Sequence, residues 1–419
     1  MTAENPWHTH ITIDLLAHVL ARSLFHPYIA WLIPLCLRSL SYPTSHPHFQ
    51  YTCLYAAFIT VLAVLRKADK RLAWGRPRKM DWEREVVVIT GGASGLGKVL
   101  AEMYGMRGVS VAVLDVRVPE ERERSEALEH VRFYRCDVSR LEDVQRAKGE
   151  VERDVRRSLL VLISSWKELH GFSIKKTQNS HSHSLFISSR LVSSNPIQSS
   201  PPLTKIPQRT RTNPSTPQLG PPTILINNAG TVAGQPLLSL TPQQINRTLT
   251  TNLHSHFHTL QTFLPSLLAS PQGGTIVTVA SVLGKLGAAN LTDYAAAKAG
   301  LIAMHASLRA ELADGKTARG GSENVRTVLV TPGQLGTSLF AGVATPSAFL
   351  GPVVEAVELA RAIVRVVDAG ESGEISLPLY AGWVGVLECL PFSLKRFARW
   401  ASGVDGAMGG FVGGGKKEG

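Results

Sequence analysis

Tyr294 and Lys298 stand four residues apart in the run YAAAK. On a helix that spacing puts both side chains on one face. A free tyrosine ionises near pH 10 and is a poor base at neutral pH, with a reference pKa of about 10. An ammonium group within about 4–6 Å favours the phenolate, so the pairing predicts a lowered tyrosine pKa. Such a phenol can take a proton from an alcohol or return one to a carbonyl oxygen, a contribution of about 10²–10⁴ in rate. Ser281 lies 13 residues before Tyr294, at the end of the run GTIVTVAS. It is expected to hydrogen-bond the reacting oxygen.

The elements that must position these side chains alternate. EVVVIT (85–90), VSVAVLD (109–115), VRFYRCD (131–137), TILINN (223–228), GTIVTVAS (274–281) and VRTVLVT (325–331) read as buried strands. Helical periodicity fills the intervals, as with Leu141, Val144, Ala147, Val151 and Val155. This is the pattern of an α/β, Rossmann-type, doubly wound parallel sheet. After the first strand comes Thr90-Gly91-Gly92-Ala93-Ser94-Gly95-Leu96-Gly97-Lys98. Between a strand and a helix, such glycines let the backbone approach a pyrophosphate at the helix N-terminus. Asp115 ends the second strand, 18 residues beyond Gly97. A carboxylate there binds a ribose diol and repels a 2′-phosphate, which favours NAD over NADP; Arg117 nearby would soften the preference.

Further motifs fall in order: Asp137-Val138, Asn227-Asn228-Ala229-Gly230, Asn252, and Thr331-Pro332-Gly333 with Thr337. The set resembles the short-chain dehydrogenase/reductase superfamily, in its Tyr-x-x-x-Lys branch. The resemblance implies a catalytic Asn252, Ser281, Tyr294 and Lys298. Lys298 would also hold the nicotinamide ribose, and Asn252 would link it to solvent through a water. It further implies that Asp137 and Val138 contact adenine, and that Pro332, Gly333 and Thr337 line the nicotinamide. Thr90, Gly91, Ser94, Gly95, Leu96, Gly97, Asn228, Ala229 and Gly230 would complete the cofactor site. Within the superfamily, the N-terminus and the loop 331–340 look like the membrane-associated retinol dehydrogenases and lipid-droplet 17-beta-hydroxysteroid dehydrogenases. Such enzymes usually pair through the helices bearing Asn252 and Tyr294, so a homodimer is expected.

The chain has 419 residues and a net charge of +12. The surplus is local, concentrated in 66–84 and 158–220 without interleaved aromatics, which argues against nucleic acid. Four scattered cysteines and four histidines (His254, His256, His258, His305) show no metal-ligand spacing; the histidines read as surface or packing residues. Phe49 to Leu65 carries no charge, and RKADKRLAWGRPRK follows, with Trp74 and Trp82 as interfacial aromatics. This reads as a membrane anchor, either a spanning helix or a re-entrant hairpin with 26–37, leaving the rest in the cytosol. The end Lys416-Lys417-Glu418-Gly419 resembles a dilysine endoplasmic-reticulum retrieval signal.

The expected organisation is an anchor at 1–80, a catalytic domain at 81–157 and 219–380, and an amphipathic element with a tail at 381–419. The Ser/Thr/Pro-rich 158–218 is either a disordered insertion or a translated intron. The sequence therefore predicts an NAD-preferring oxidoreductase of a lipophilic alcohol or ketone (retinoid, steroid or long-chain lipid). Its site would be the endoplasmic reticulum membrane or a lipid droplet. An NADPH-linked reductase of a long-chain ketone and a non-catalytic lipid-surface protein are the alternatives.

Overall fold

The computed structural model describes residues 12–120, 130–154, 221–314, 324–343 and 351–411, together with 128, 345 and 347–349. The segment 158–218 and the dilysine end lie outside the described residues.

Strand β1 (Val86–Thr90, VVVIT) is buried at every position. Its β-branched run lacks the alternation that a solvated face would impose, so both faces are covered. Parallel pairing joins it to β2 (Ser110–Asp115), β3 (Val131–Arg135), β4 (Ile224–Asn227), β5 (Gly274–Val279), β6 (Val325–Val330) and β7 (Gly373–Ile375), in the order β3-β2-β1-β4-β5-β6-β7. The first six coincide with the expected strands to within two residues. β7 was not anticipated, because a three-residue strand that begins with a glycine carries no readable period.

N-terminal to the sheet lie α1 (Ile13–Arg22), α2 (Pro27–Ser39) and α3 (Pro47–Trp74). Covering the sheet are α4 (Gly95–Met106), α5 (141–154), α6 (Pro242–Leu249), α7 (Ser255–Ala269), α8 (Thr292–Asp314) and α9 (Ala356–Asp368). Alternation along each strand sorts them into two layers. Val87, Ile89, Val111 and Val113 meet Leu100 and Tyr104 of α4 and Leu359 and Ile363 of α9. Val86, Val88, Ala112 and Leu114 meet Val144 and Val151 of α5, Phe263 and Leu267 of α7, and Leu308 of α8.

Helices α2 and α3 bury Ala30 against Ala56 and Ile59, and Trp31 Nε1 donates to Thr60 Oγ1 at 3.0 Å. Leu54, Phe58, Val61, Val64 and Leu65 of α3 point outward. α3 is long and apolar enough to cross a membrane, with a mean hydropathy of 1.5 over its most apolar window. α1 and α2 form a pair bent by 57°. α3 does not stop at the charge boundary but runs through the basic stretch to Trp74, where it joins the sheet domain. Arg309 stacks 3.9 Å over the Trp74 ring and donates to the Ala73 carbonyl at 2.8 Å, and Lys70 pairs with Glu371 at 2.5 Å. Trp82 corrects an expectation. Its ring packs on Tyr104 at 5.6 Å and beneath the Arg107 guanidinium at 4.6 Å, within the domain rather than at a membrane boundary.

The chain between α3 and β1 is fixed by a buried ion pair. Arg78 Nη2 donates to both Glu85 oxygens at 2.5 and 2.8 Å, and its Nε donates to the Gln272 carbonyl at 2.8 Å. Removing one partner strands a buried charge, whereas removing both does not. Arg78→Met is expected to destabilise the protein by about 3–5 kcal/mol. Arg78→Met with Glu85→Leu should recover most of that loss in urea unfolding of the detergent-solubilised protein.

Candidate active site

Where the strand order reverses between β1 and β4, a cavity of about 760 Å³ opens at the C-terminal strand ends. This is the position at which open α/β sheets bind ligands. Its floor is the glycine turn. Gly91 has φ +65°, and a Cβ on it would lie 2.8 Å from Ala229 Cα. A Cβ on Gly97 would lie 2.2 Å from the Gly91 carbonyl oxygen. Only glycine fits such approaches. Helix α4 begins at Gly95 beneath Ser94, which makes no side-chain cap bond, so its first-turn N–H groups remain available to an anion.

The two turns bordering the cavity are clamped together. Thr90 Oγ1 accepts from the backbone N–H of Asn228 (3.0 Å) and of Ala229 (3.1 Å). Asn228 Nδ2 donates to the carbonyls of Thr90 (3.1 Å) and Gly91 (3.0 Å). Gly91, Ser94, Gly95, Leu96, Asp115, Asp137, Val138, Asn228, Ala229, Gly230, Pro332, Gly333 and Thr337 all line the cavity. Thr90 and Gly97 stand behind its wall, where they brace it. The Asp115 carboxylate accepts from the N–H groups of Ala93 (2.9 Å) and Arg117 (3.0 Å). Asp137 Oδ1 accepts from the N–H (3.0 Å) and hydroxyl (2.7 Å) of Ser139. Burial pushes the neighbouring Cys136 thiol up to about 12, so it stays protonated. A glycine-rich turn, donors at a helix start and a carboxylate on the far rim fit a dinucleotide.

The reactive cluster occupies the other end of the cavity. Ser281, Tyr294 and Lys298 line it, and all three are buried. Tyr294 and Lys298 share the inner face of α8, with the Lys298 ammonium 5.7 Å from the phenol ring centroid. Lys298 Nζ donates to the Val279 carbonyl at 2.9 Å. Asn252 sits in a wide turn of π-helix (Thr250–His254) between α6 and α7, with its side chain turned inward. Its Oδ1 accepts from the Thr231 N–H and its Nδ2 donates to the Thr231 carbonyl, both at 2.7 Å. It therefore lies behind the lining and holds the loop that carries Gly230.

The electrostatics correct the expected lowering of the tyrosine pKa. Burial raises the Tyr294 phenol above its ordinary value, and its hydrogen bond with Ser281 acts in the opposite direction. The same burial lowers Lys298 to about 8. Desolvation disfavours both charged forms here, so Tyr294 is protonated at neutral pH. Of the four histidines, His256 and His305 are buried. Burial, reinforced by the Lys298 charge, holds His256 well below its usual value.

Sequence reasoning missed several lining residues. Thr231, Asn246, Arg247, Thr250 and Thr251 belong to no motif, and Phe340 meets the Tyr294 ring edge-on at 5.7 Å. Only the apolar run around 340 hinted at the last. Two C-terminal helices, α10 (Leu379–Leu387) and α11 (Phe392–Ser402), help enclose a second, apolar cavity of about 500 Å³. The two cavities meet at Ser281, Gly333 and Phe340. Met408, beyond α11, is buried beside Tyr294.

The family model for short chain dehydrogenase matches residues 85–166 and 214–347. The chain belongs to that family, and it is by class an NAD(P)-dependent oxidoreductase. It is 27% identical to an uncharacterized oxidoreductase of Saccharomyces cerevisiae over 376 residues, covering 89% of this chain and 92% of that protein. It is 29% identical to retinol dehydrogenase 10 of Homo sapiens over 267 residues, which is 64% of this chain and 66% of that protein. A short chain dehydrogenase/reductase from Burkholderia phymatum, solved in complex with NAD, has the same fold. The TM-score is 0.50 at 18% identity, covering 76% of this chain and 97% of that one.

The lysine carries a measurable penalty. With a native pKa of about 8 against 10.5 unfolded, its burial costs about 3 kcal/mol at neutral pH, where both states are protonated. From pH 8 to 10.5 the native state releases its proton first, and stability rises with pH. Lys298→Met is therefore expected to melt at a higher temperature than wild type at pH 7. The difference should shrink as pH rises through that window. A variant equally destabilised at all pH values would contradict this account.

Proposed function

We propose that the chain is a membrane-anchored dehydrogenase that moves a hydride between NAD and a lipophilic alcohol or its ketone. The observation that carries this reading is the meeting of the two cavities. One has the glycine turn and carboxylate rim that suit a dinucleotide. The other is walled by Val282, Leu283, Leu286, Trp383, Val384 and Met408. They share the wall at Ser281, so a long apolar molecule in the second would bring its oxygen to Ser281 and Tyr294. The cofactor, when bound, supplies or accepts the hydride.

The side chains divide the remaining work. Ser281 hydrogen-bonds the substrate oxygen and orients its carbon. Tyr294, kept protonated by burial, delivers its proton to the carbonyl oxygen on reduction and receives it back on oxidation. Lys298 holds positive charge beneath the phenol as the phenolate forms and is positioned to bind the nicotinamide ribose. Asn252 fixes the Thr231 backbone and, with a water, would connect Lys298 to solvent. Asp115 would accept the ribose hydroxyls. Pro332, Gly333 and Thr337 would line the nicotinamide, and Asp137 and Val138 the adenine.

The apolar α3 and the exposed Trp383, Phe392, Phe397 and Trp400 of α10 and α11 support attachment to the endoplasmic reticulum membrane or a lipid-droplet surface. The catalytic domain would face the cytosol, as a homodimer through the helical segment bearing Asn252 and through α8, which bears Tyr294.

Two variants separate the roles. Tyr294→Phe is expected to lower kcat by at least about 10²-fold while NADH binding, read by fluorescence titration, is unchanged. Undiminished turnover would remove Tyr294 from the chemistry. Asp115→Ser is expected to narrow or invert the NADH over NADPH preference by about tenfold, through loss of the diol contact and of charge repulsion. Equal affinities in wild type would refute the role given to Asp115.

A further inference from the structure

Helix α10 begins at Leu379 behind Pro378, which has no side chain able to cap the first-turn N–H groups. The cap comes instead from the opposite end of the sequence. Asp14, in the first turn of α1, accepts the Leu379 N–H with its Oδ1. The adjoining Ile13 N–H donates to the Phe349 carbonyl at 3.1 Å, and the Ile13 side chain lines the apolar cavity. A carboxylate at a helix N-terminus also meets the positive end of the helix dipole. α1 is thus tied to the catalytic domain at two consecutive residues, both outside the long apolar helix α3.

The next contacts lead to the reacting centre. Tyr380 follows Leu379, and its hydroxyl lies where a Cβ on Gly333 would be only 2.7 Å away. Gly333 lines both cavities. Away from the domain, α1 exposes Leu15, Leu16, Val19 and Leu20 and passes through a 57° bend into α2. Exposed apolar side chains therefore lie along α1, between the α2–α3 pair and the cavity that Ile13 lines.

We propose that α1 is a wall of the substrate chamber and not only part of an anchor. Asp14 is a positioning residue that sets α10, Ile13 is a specificity-determining residue, and the aliphatic tail of a lipid alcohol enters between α1 and α10. This rests on the lipophilic-substrate reading above.

The test uses the full chain in mixed micelles, with hexadecan-2-ol and butan-2-ol as substrates. Binding of a dansyl-labelled fatty alcohol in the presence of NADH gives a readout independent of turnover. Asp14→Ala and Ile13→Trp are each expected to raise KM for hexadecan-2-ol about tenfold and to weaken probe binding about as much. The kinetics with butan-2-ol and the affinity for NADH should be unchanged. Asp14→Asn keeps the acceptor oxygen and should restore the wild-type KM. If neither variant moves the ratio of the two substrates or the probe affinity, the wall role is overturned. If both substrates suffer equally, α1 is merely structural and the proposal fails. Wild type that turns over butan-2-ol but neither turns over hexadecan-2-ol nor binds the probe overturns the lipid reading itself, and this inference with it.

Discussion

The site depends on one backbone clamp, the hydrogen bonds that join Thr90 and Gly91 to Asn228 and Ala229. β1 and β4 are neighbours in the sheet although more than a hundred residues separate them in the chain. Their turns must leave the sheet in opposite directions, because the strand order reverses between them. The asparagine side chain fills the gap that opens there with donors, satisfying carbonyls that would otherwise face the crevice. The glycines then become obligatory. Once the two turns are this close, Gly91 and Gly97 have no room for a Cβ.

Around this clamp the domain accepts energetic costs that a stability-optimised fold would avoid. An ammonium, a phenol and two imidazoles lie buried within one layer on α7 and α8. Burial opposes charge on each, and the opposition is what keeps a proton on Tyr294 while leaving Lys298 near its point of ionisation. The hydrophobic layers on both faces of the sheet offset the penalty.

The sheet and the gathering of Ser281, Tyr294 and Lys298 at one cavity were legible because their signals are local. Buried parallel strands write themselves as β-branched runs, and a four-residue spacing on a helix puts Tyr294 and Lys298 together whatever the rest of the fold does. Asp115 was legible for the same reason, as the last residue of a strand. The pKa of Tyr294 was misjudged because spacing reports the lysine but not the desolvation that both groups share. Trp82 was misread because an aromatic beside a basic run has the same composition whether it faces lipid or packs on Tyr104. The contacts made by Ile13, Asp14 and Met408 leave no local pattern at all, since each joins a terminal stretch of the chain to residues more than a hundred positions away. The inward turn of Asn252 needs a π-helical widening, which no residue in TTNLH announces.

The junction at the end of α3 has a mechanical meaning. A helix of 28 residues is a rod about 42 Å long. Its last turn is held by the Arg309 contacts with Ala73 and Trp74 and by the Lys70–Glu371 pair, and Arg78 is anchored just beyond. These contacts couple the end of the rod to the domain. In the proposed anchoring, a change in bilayer thickness that alters the tilt of the rod would be passed to the domain through these contacts, so the surrounding lipid would help aim the enzyme as well as supply its substrate.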